Sequence, residues 1–237
     1  QNQQLINTSM RCAYQPIVDQ KTQALLGYES LSRFYIDDVY QMPLPIIQML
    51  ETTGFIKELD LKSLTEAGKT LAVLKEKGEL DRPLNISINI SKYTLLNVAP
   101  QQIVQRILKA GFSPNQITIE VTERQALDEQ RIFNVLSTLK ESGFRISLDD
   151  FSMGHASMSI VARFPFDEIK IDRDLLPQSE GDLMAIRSYE HVVSLLNTYG
   201  VEIVAEGIEN EYQVRFVSKL KIDRLQGYYF SKPIFIA

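Results

Sequence analysis

The stretches ITIEVTE, residues 117–123, and RISLDD, residues 145–150, decide the fold together with what lies between them. Each is a short β-branched or aliphatic run that ends on carboxylates. Between them Ala126 to Ser142 repeats at helical spacing, with Ile132, Val135, Leu136 and Leu139 on one face and Gly143 in the C-terminal stop position. Extended run, helix, extended run is a parallel crossover. Working outward, the same unit recurs. NISINIS (85–91) is followed by Pro100 to Ala110, with Ile103, Val104, Ile107 and Leu108 in helical register and Gly111 as the stop. DEIKID (167–172) precedes a helical segment from Leu183 to Tyr199, VEIVAEG (201–207) precedes one from Glu209 to Leu220, and LQGYYF (225–230) closes the series.

The N-terminal part departs from this alternation. Ala13 to Val18 and Ala24 to Phe34 are both extended in character, and Asp19 to Gln23 between them is too short for a parallel crossover, so a hairpin is expected. LLGYESL (25–31) lies in its second strand, and a helical stretch from Leu44 to Gly78, broken near Gly54, follows. The expected fold class is therefore α/β: a modified TIM (β/α)8 barrel with an antiparallel first strand. At 237 residues and 44% hydrophobic the chain is close to the ~250 residues usual for such a barrel. Residues 10–237 are expected as one barrel domain, and the polar residues 1–9 as a tail or linker remnant.

Strand ends of such a barrel converge on one face, and side chains distant in sequence meet there. The polar residues at those ends are Glu29, Asn89, Glu120, Asp149 with Asp150, Lys170, Glu206 and Gln226. Taken singly, each has an ordinary reading: a solvated strand residue for Glu29 or Glu120, a turn or cap pair for Asp149-Asp150, surface charge for Lys170. Their recurrence in one frame favours a shared site. Five carboxylates in so small a volume repel one another unless cations sit among them, which points to divalent metals.

The net charge of −5 argues against general affinity for nucleic-acid polymers or anionic membranes. There is no apolar run of membrane-spanning length and no signal-peptide pattern, so a cytoplasmic location, or the cytoplasmic portion of a larger protein, without direct membrane contact is expected. The single cysteine, Cys12, reads as a small buried hydrophobe in a reducing compartment. His191 falls in a helical pattern as a structural or surface residue. His155, in the loop after the aspartate pair, lacks the partner spacing of a metal ligand.

GYESLSR, SINIS, IEVTE, LDDF, EIKID, VAEGIE and QGYYFSKP, in this order over residues 14 to 233, closely resemble the EAL domain, the bacterial cyclic-di-GMP (c-di-GMP) phosphodiesterase. The Glu-Ala-Leu signature reads Glu29-Ser30-Leu31 here. The resemblance implies metal-dependent hydrolysis of c-di-GMP to linear pGpG with two Mg2+ or Mn2+ ions and inhibition by Ca2+. Glu29, Asn89, Glu120 and Asp149 would hold the first ion, with Asp149 shared and Asp150 holding the second. Lys170 would orient or polarise the attacking water, Glu206 would act as general base or as a water-mediated metal partner, and Gln226 would hydrogen-bond the water network. Which of Lys170 and Glu206 takes the proton stays open. Arg33 would reach a phosphate, Gln15 belongs to the family's opening strand, Leu31 would line the pocket, and Glu123 would prop the loop after Asp150. A homodimer and an N-terminal sensory domain outside this chain are further implications.

One departure from the pattern stands out. Family members read Asp-Asp-Phe-Gly-Thr-Gly or Asp-Asp-Phe-Gly-Ala-Gly, where this chain has Asp149-Asp150-Phe151-Ser152-Met153-Gly154. If the backbone at Ser152 has positive φ, the substitution costs roughly 1 kcal/mol or displaces the loop. The alternative function is thus a catalytically attenuated or inactive relative that binds c-di-GMP or a protein partner. Tyr228 to Phe230 is expected as strand packing, with Tyr228 able to face a guanine.

Overall fold

The computed structural model describes residues 2–36, 38–41, 44–78, 84–126, 130–152 and 155–236. Its strands run in chain order as β1 (Met10–Asp19), β2 (Leu25–Ile36), β3 (Val39–Gln41), β4 (Asn85–Asn89), β5 (Ile117–Thr122), β6 (Arg145–Phe151), β7 (Glu168–Ile171), β8 (Glu202–Ala205) and β9 (Arg224–Gln226). Among the described residues, all of these except β3 close into an eight-stranded barrel through the β1–β2 pairing. β1 is antiparallel to both β2 and β9, whereas each pairing from β2 through β4 and onward to β9 is parallel. The expected barrel with an antiparallel first strand is the fold observed.

The hairpin has a local cause. The Asp19 carboxylate accepts hydrogen bonds from the backbone N–H of Lys21 (3.1 Å) and Thr22 (2.7 Å) and from the Thr22 hydroxyl (2.7 Å), and Gln23 takes φ +57°, so the chain reverses within five residues. β3, absent from the sequence reading, folds back on the end of β2, pairing Tyr35 with Tyr40.

The helices are α1 (Asn2–Ser9), α2 (Leu44–Thr53), α3 (Ile56–Glu76), α4 (Lys92–Asn97), α5 (Pro100–Lys109), α6 (Glu123–Ala126), α7 (Gln130–Glu141), α8 (His155–Arg163), α9 (Leu183–Thr198) and α10 (Glu211–Val217). Gly54, at φ +74°, separates α2 from α3 at the expected break. Where the sequence suggests a polar tail, α1 buries Ile6, and the Lys62 ammonium donates to the carbonyl oxygens of Ile6, Asn7 and Met10 at 2.6 to 3.1 Å. That cation occupies the end of the helix where unpaired carbonyls accumulate. His155 begins α8 rather than lying in a loop. No helix among the described residues is long and apolar enough to cross a membrane.

Strand alternation divides the barrel wall into two faces. Outward side chains such as Ile86, Ile88, Ile119, Val121, Ile146, Leu148, Ile169 and Ile203 are fully buried against Leu64, Leu71, Ile103, Ile107, Leu136 and Leu196 of the surrounding helices. Each such side chain contributes about 1.5–3 kcal/mol. The inward face is polar: Glu29, Ser87, Glu120, Ser147, Asp149, Glu168, Lys170 and Gln226 are all buried. Barrels of this architecture ordinarily fill that space with branched apolar residues, so the polar interior sets the site.

Candidate metal centre and substrate cleft

Lys170, on β7, is wholly buried at the centre of the polar face. Its ammonium lies 2.7 Å from Glu206 Oε1, 3.1 Å from Glu29 Oε2, 3.2 Å from Glu120 Oε1 and 3.3 Å from Asp149 Oδ1. The Asn89 amide donates to Glu29 Oε1 at 3.1 Å and to Glu120 Oε2 at 3.3 Å. Gln226 donates to Glu29 Oε2 at 2.6 Å and to Gln15 Oε1 at 3.3 Å. Seven strands and the residue that follows β8 thus deliver carboxylates, amides and one lysine to a single cluster, as the spacing of the motifs leads one to expect.

The electrostatics follow from burial. Lys170 would lose charge on burial alone, but Asp149, Glu120, Glu206 and Glu29 hold its pKa well above the ordinary lysine value, so it is an ammonium. Burial, together with neighbouring carboxylates and against the pull of Lys170, raises Glu120 well above the ordinary range, raises Asp149, and pushes Glu206 up to about 8. Asp150, raised by burial and then by Asp149, reaches about 6. Glu29 differs: burial acts to raise it, but Lys170, Gln226 and Asn89 hold it below the ordinary value.

Such a cluster fits divalent cations. Oxygens of Glu29, Glu120 and Asp149 lie within 4.8 Å of one another, and so do those of Asp149, Asp150 and Glu206, giving two groups that share Asp149. Glu120 Oε1 and Asp149 Oδ1 are buried and accept no hydrogen bond, although both lie at ion-pair distance from Lys170. Hard carboxylate donors without nitrogen or sulfur are the set that Mg2+, Mn2+ or Ca2+ takes.

The end of β6 holds a strained residue, two positions before the one expected. Asp150 has φ +55°, whereas Ser152 is not among the non-glycine residues with positive φ. The β6–β7 register shifts between Leu148 and Phe151, and the resulting bulge leaves Asp150 exposed at the barrel mouth while Asp149 stays inside. The Ser152 hydroxyl donates to Glu123 Oε2 at 2.9 Å, so the residue that replaces glycine bonds to the glutamate expected to prop the loop after Asp150. Met153 and Gly154 lie outside the described residues, as does the side chain of His155.

A cavity of about 210 Å3 opens beside the cluster, lined by Gln15, Glu29, Leu31, Asp150, Glu206 and Tyr228 among others. A second, of about 220 Å3, adjoins it through Leu31 and carries Arg33 and Asn89. Arg33, half-buried, donates to the Ser32 carbonyl at 2.8 Å. The expected strand packing of Tyr228 to Phe230 is not what forms: a turn begins at Gly227, where a Cβ would collide with the backbone of Ile208, and Tyr228 is 55% exposed at the cavity. His191 is exposed on α9.

Sequence reasoning missed several contributors to these cavities, two acidic ones among them. Asp172, just past the EIKI strand, lines the first. Asp60 on α3 lines the second and is buried; its Oδ2 accepts from the Ser91 N–H (2.9 Å) and from the hydroxyls of Ser91 and Thr94 (2.6 Å each). An acidic residue on the apolar face of a helix was the available signal.

Comparison with known proteins agrees with this geometry. The signaling protein YkoW of Bacillus subtilis is 34% identical over 93% of this chain, which spans 28% of that protein. The chain spans 27 to 29% of the length of the first curated relatives it matches. Among solved structures, the PaMucR phosphodiesterase in complex with c-di-GMP superposes with a TM-score of 0.88 at 28% identity, covering 98% of this chain and 94% of that one. A calcium and c-di-GMP complex of BlrP1 from Klebsiella pneumoniae superposes with a TM-score of 0.80 at 26% identity, covering 97% of this chain and 57% of that one. Residues 1–233 match the EAL domain, and the chain belongs to that family.

Proposed function

We propose that this chain hydrolyses c-di-GMP to linear pGpG as a divalent-metal-dependent phosphodiesterase. The observation that carries this reading is the pair of three-carboxylate groups sharing Asp149 around a buried lysine, beside an open cleft. Glu29, Asn89, Glu120 and Asp149 would hold one Mg2+ or Mn2+ ion, and Asp149 and Asp150 the other, with Glu206 at the edge of the second group. Such ions gather the phosphate, favour ionisation of water and offset developing charge.

The protein's own residues supply the rest. Lys170, held as an ammonium, donates a hydrogen bond and charge rather than accepting a proton. Glu206, 2.7 Å away, is the member of the pair that, once ionised, can take one from the attacking water. Gln226 orients the same network through Glu29 and Gln15. Arg33 offers a planar fork to a phosphate, and Leu31, which lines both cavities, separates the halves of the substrate. Exposed Tyr228 offers a ring face to a guanine. Incubating the protein with c-di-GMP and Mn2+ or Mg2+, then chromatography, should show pGpG, with no product in a chelator. Persistence of intact c-di-GMP with measurable binding would instead favour a receptor without turnover.

A further inference from the structure

Towards the N-terminal end of the barrel, below the carboxylate cluster, charged side chains tie four adjacent strands together. Arg224 on β9 reaches Glu168 on β7, Nη1 to Oε2 at 3.1 Å, and Glu202 on β8, Nη2 to Oε2 at 2.6 Å. Arg145 on β6 donates to the same Glu202 oxygen at 2.7 Å. The Glu168 side chain is only 1% exposed, and neither of its oxygens accepts a hydrogen bond of good geometry, so the Arg224 charge is what compensates it. A buried ion pair of this kind is weak evidence for stability, because desolvation offsets much of the attraction; its better-attested use is to specify geometry.

The placement of these four residues is systematic. Arg145 stands four before Asp149, Glu168 two before Lys170, Glu202 four before Glu206 and Arg224 two before Gln226. Even offsets put each on the inward face of its strand, in line with the residue that strand presents to the site. Between the two levels the inward residues are Ser147 on β6 and Val204 on β8, both fully buried, and the Ser147 hydroxyl has no partner. One serine and one valine cannot fix the spacing of four strands by interdigitation as a full branched layer would.

We propose that Arg224, with Glu168, Glu202 and Arg145, forms a clamp that sets the relative height of β6 to β9 and so positions Lys170, Glu206 and Gln226. These are positioning residues, since none touches the cleft. The predicted effect on turnover rests on the phosphodiesterase reading; the effect on the strands does not.

The test is the double variant Arg224→Met with Glu168→Gln, which breaks the clamp without stranding a buried charge. Three readouts are taken: c-di-GMP affinity and stoichiometry with Ca2+ in place of Mn2+, kcat with Mn2+, and amide hydrogen exchange. The clamp predicts one c-di-GMP bound per chain with near-parental affinity and kcat lower by about tenfold or more. It also predicts faster exchange in peptides carrying Lys170, Glu206 and Gln226 but not in those carrying Asn89 and Glu120. Parental exchange at those three strands overturns the proposal whatever the activity does. A fall in kcat matched by an equal fall in binding stoichiometry also overturns it, since that is loss of folded protein. If the parent protein itself forms no pGpG, the phosphodiesterase reading fails and the exchange measurement still decides the clamp.

Discussion

The Lys170 ammonium and Glu206 Oε1 lie 2.7 Å apart inside the barrel, and Glu29, Glu120 and Asp149 approach the same ammonium at 3.1 to 3.3 Å. One buried cation therefore balances four acids, and the remaining negative charge is what makes the site receptive to metal.

Replacing Lys170 with Met removes that balance. Without metal the variant should be less stable by about 3–5 kcal/mol, the usual result of leaving buried charge uncompensated. Mn2+ should recover most of the loss, while turnover falls by orders of magnitude. Thermal unfolding with and without Mn2+ checks this, and a melting temperature indifferent to Mn2+ would contradict metal binding at the cluster.

Asp150 combines a left-handed backbone with a proposed place in the second metal group, so stability and activity should separate there. Asp150→Gly should leave stability unchanged or raise it by up to about 1 kcal/mol, because glycine takes positive φ without strain. Hydrolysis should be lost. Turnover near the parental rate at saturating Mn2+ would show that the second group does not need this carboxylate.

The distribution of what the sequence disclosed has a physical cause. Strand ends such as Glu120 and Asp149 were legible because alternation along a strand and one-sided convergence in a barrel are properties of the backbone. The break at Gly54 and the hairpin at Asp19 to Gln23 were legible for the same reason. The bulge that turns Asp150 outward was not, since it arises from register between β6 and β7. Nor was the Ser152 to Glu123 bond, which joins elements 29 residues apart. Tyr228 read as strand because its neighbours are aromatic, yet close approach of Gly227 to the Ile208 backbone ends the strand first.

Arg33 lines the cavity adjoining the cluster rather than the cluster itself. Arg33→Ala should accordingly weaken c-di-GMP binding by roughly 1.5–3 kcal/mol, as expected for a charged hydrogen bond, and leave kcat at saturation little changed. Calorimetric titration beside steady-state kinetics distinguishes this from the reverse pattern, which would place Arg33 in the chemical step.

Burial raises the Asp60 pKa to about 6, against the hydrogen bonds from Ser91 and Thr94. The folded state therefore holds a proton there that the unfolded chain releases near pH 4, so the stability tied to this proton is present below about pH 4 and lost as pH rises through about 6. Asp60→Asn keeps an acceptor oxygen and cannot ionise. The stability of the parent relative to the variant should fall by roughly 2–3 kcal/mol between pH 4 and pH 7. Denaturant unfolding at the two pH values measures it, and a constant difference would show that Asp60 titrates normally.

Two cations are expected to share Asp149 at the mouth of the barrel. Anomalous diffraction at the manganese edge, from crystals grown with Mn2+ and c-di-GMP, tests it most directly. Two peaks are predicted, one against Glu29, Glu120 and Asp149 and the other against Asp149 and Asp150. A single peak, or peaks that do not touch Asp149, would contradict the account.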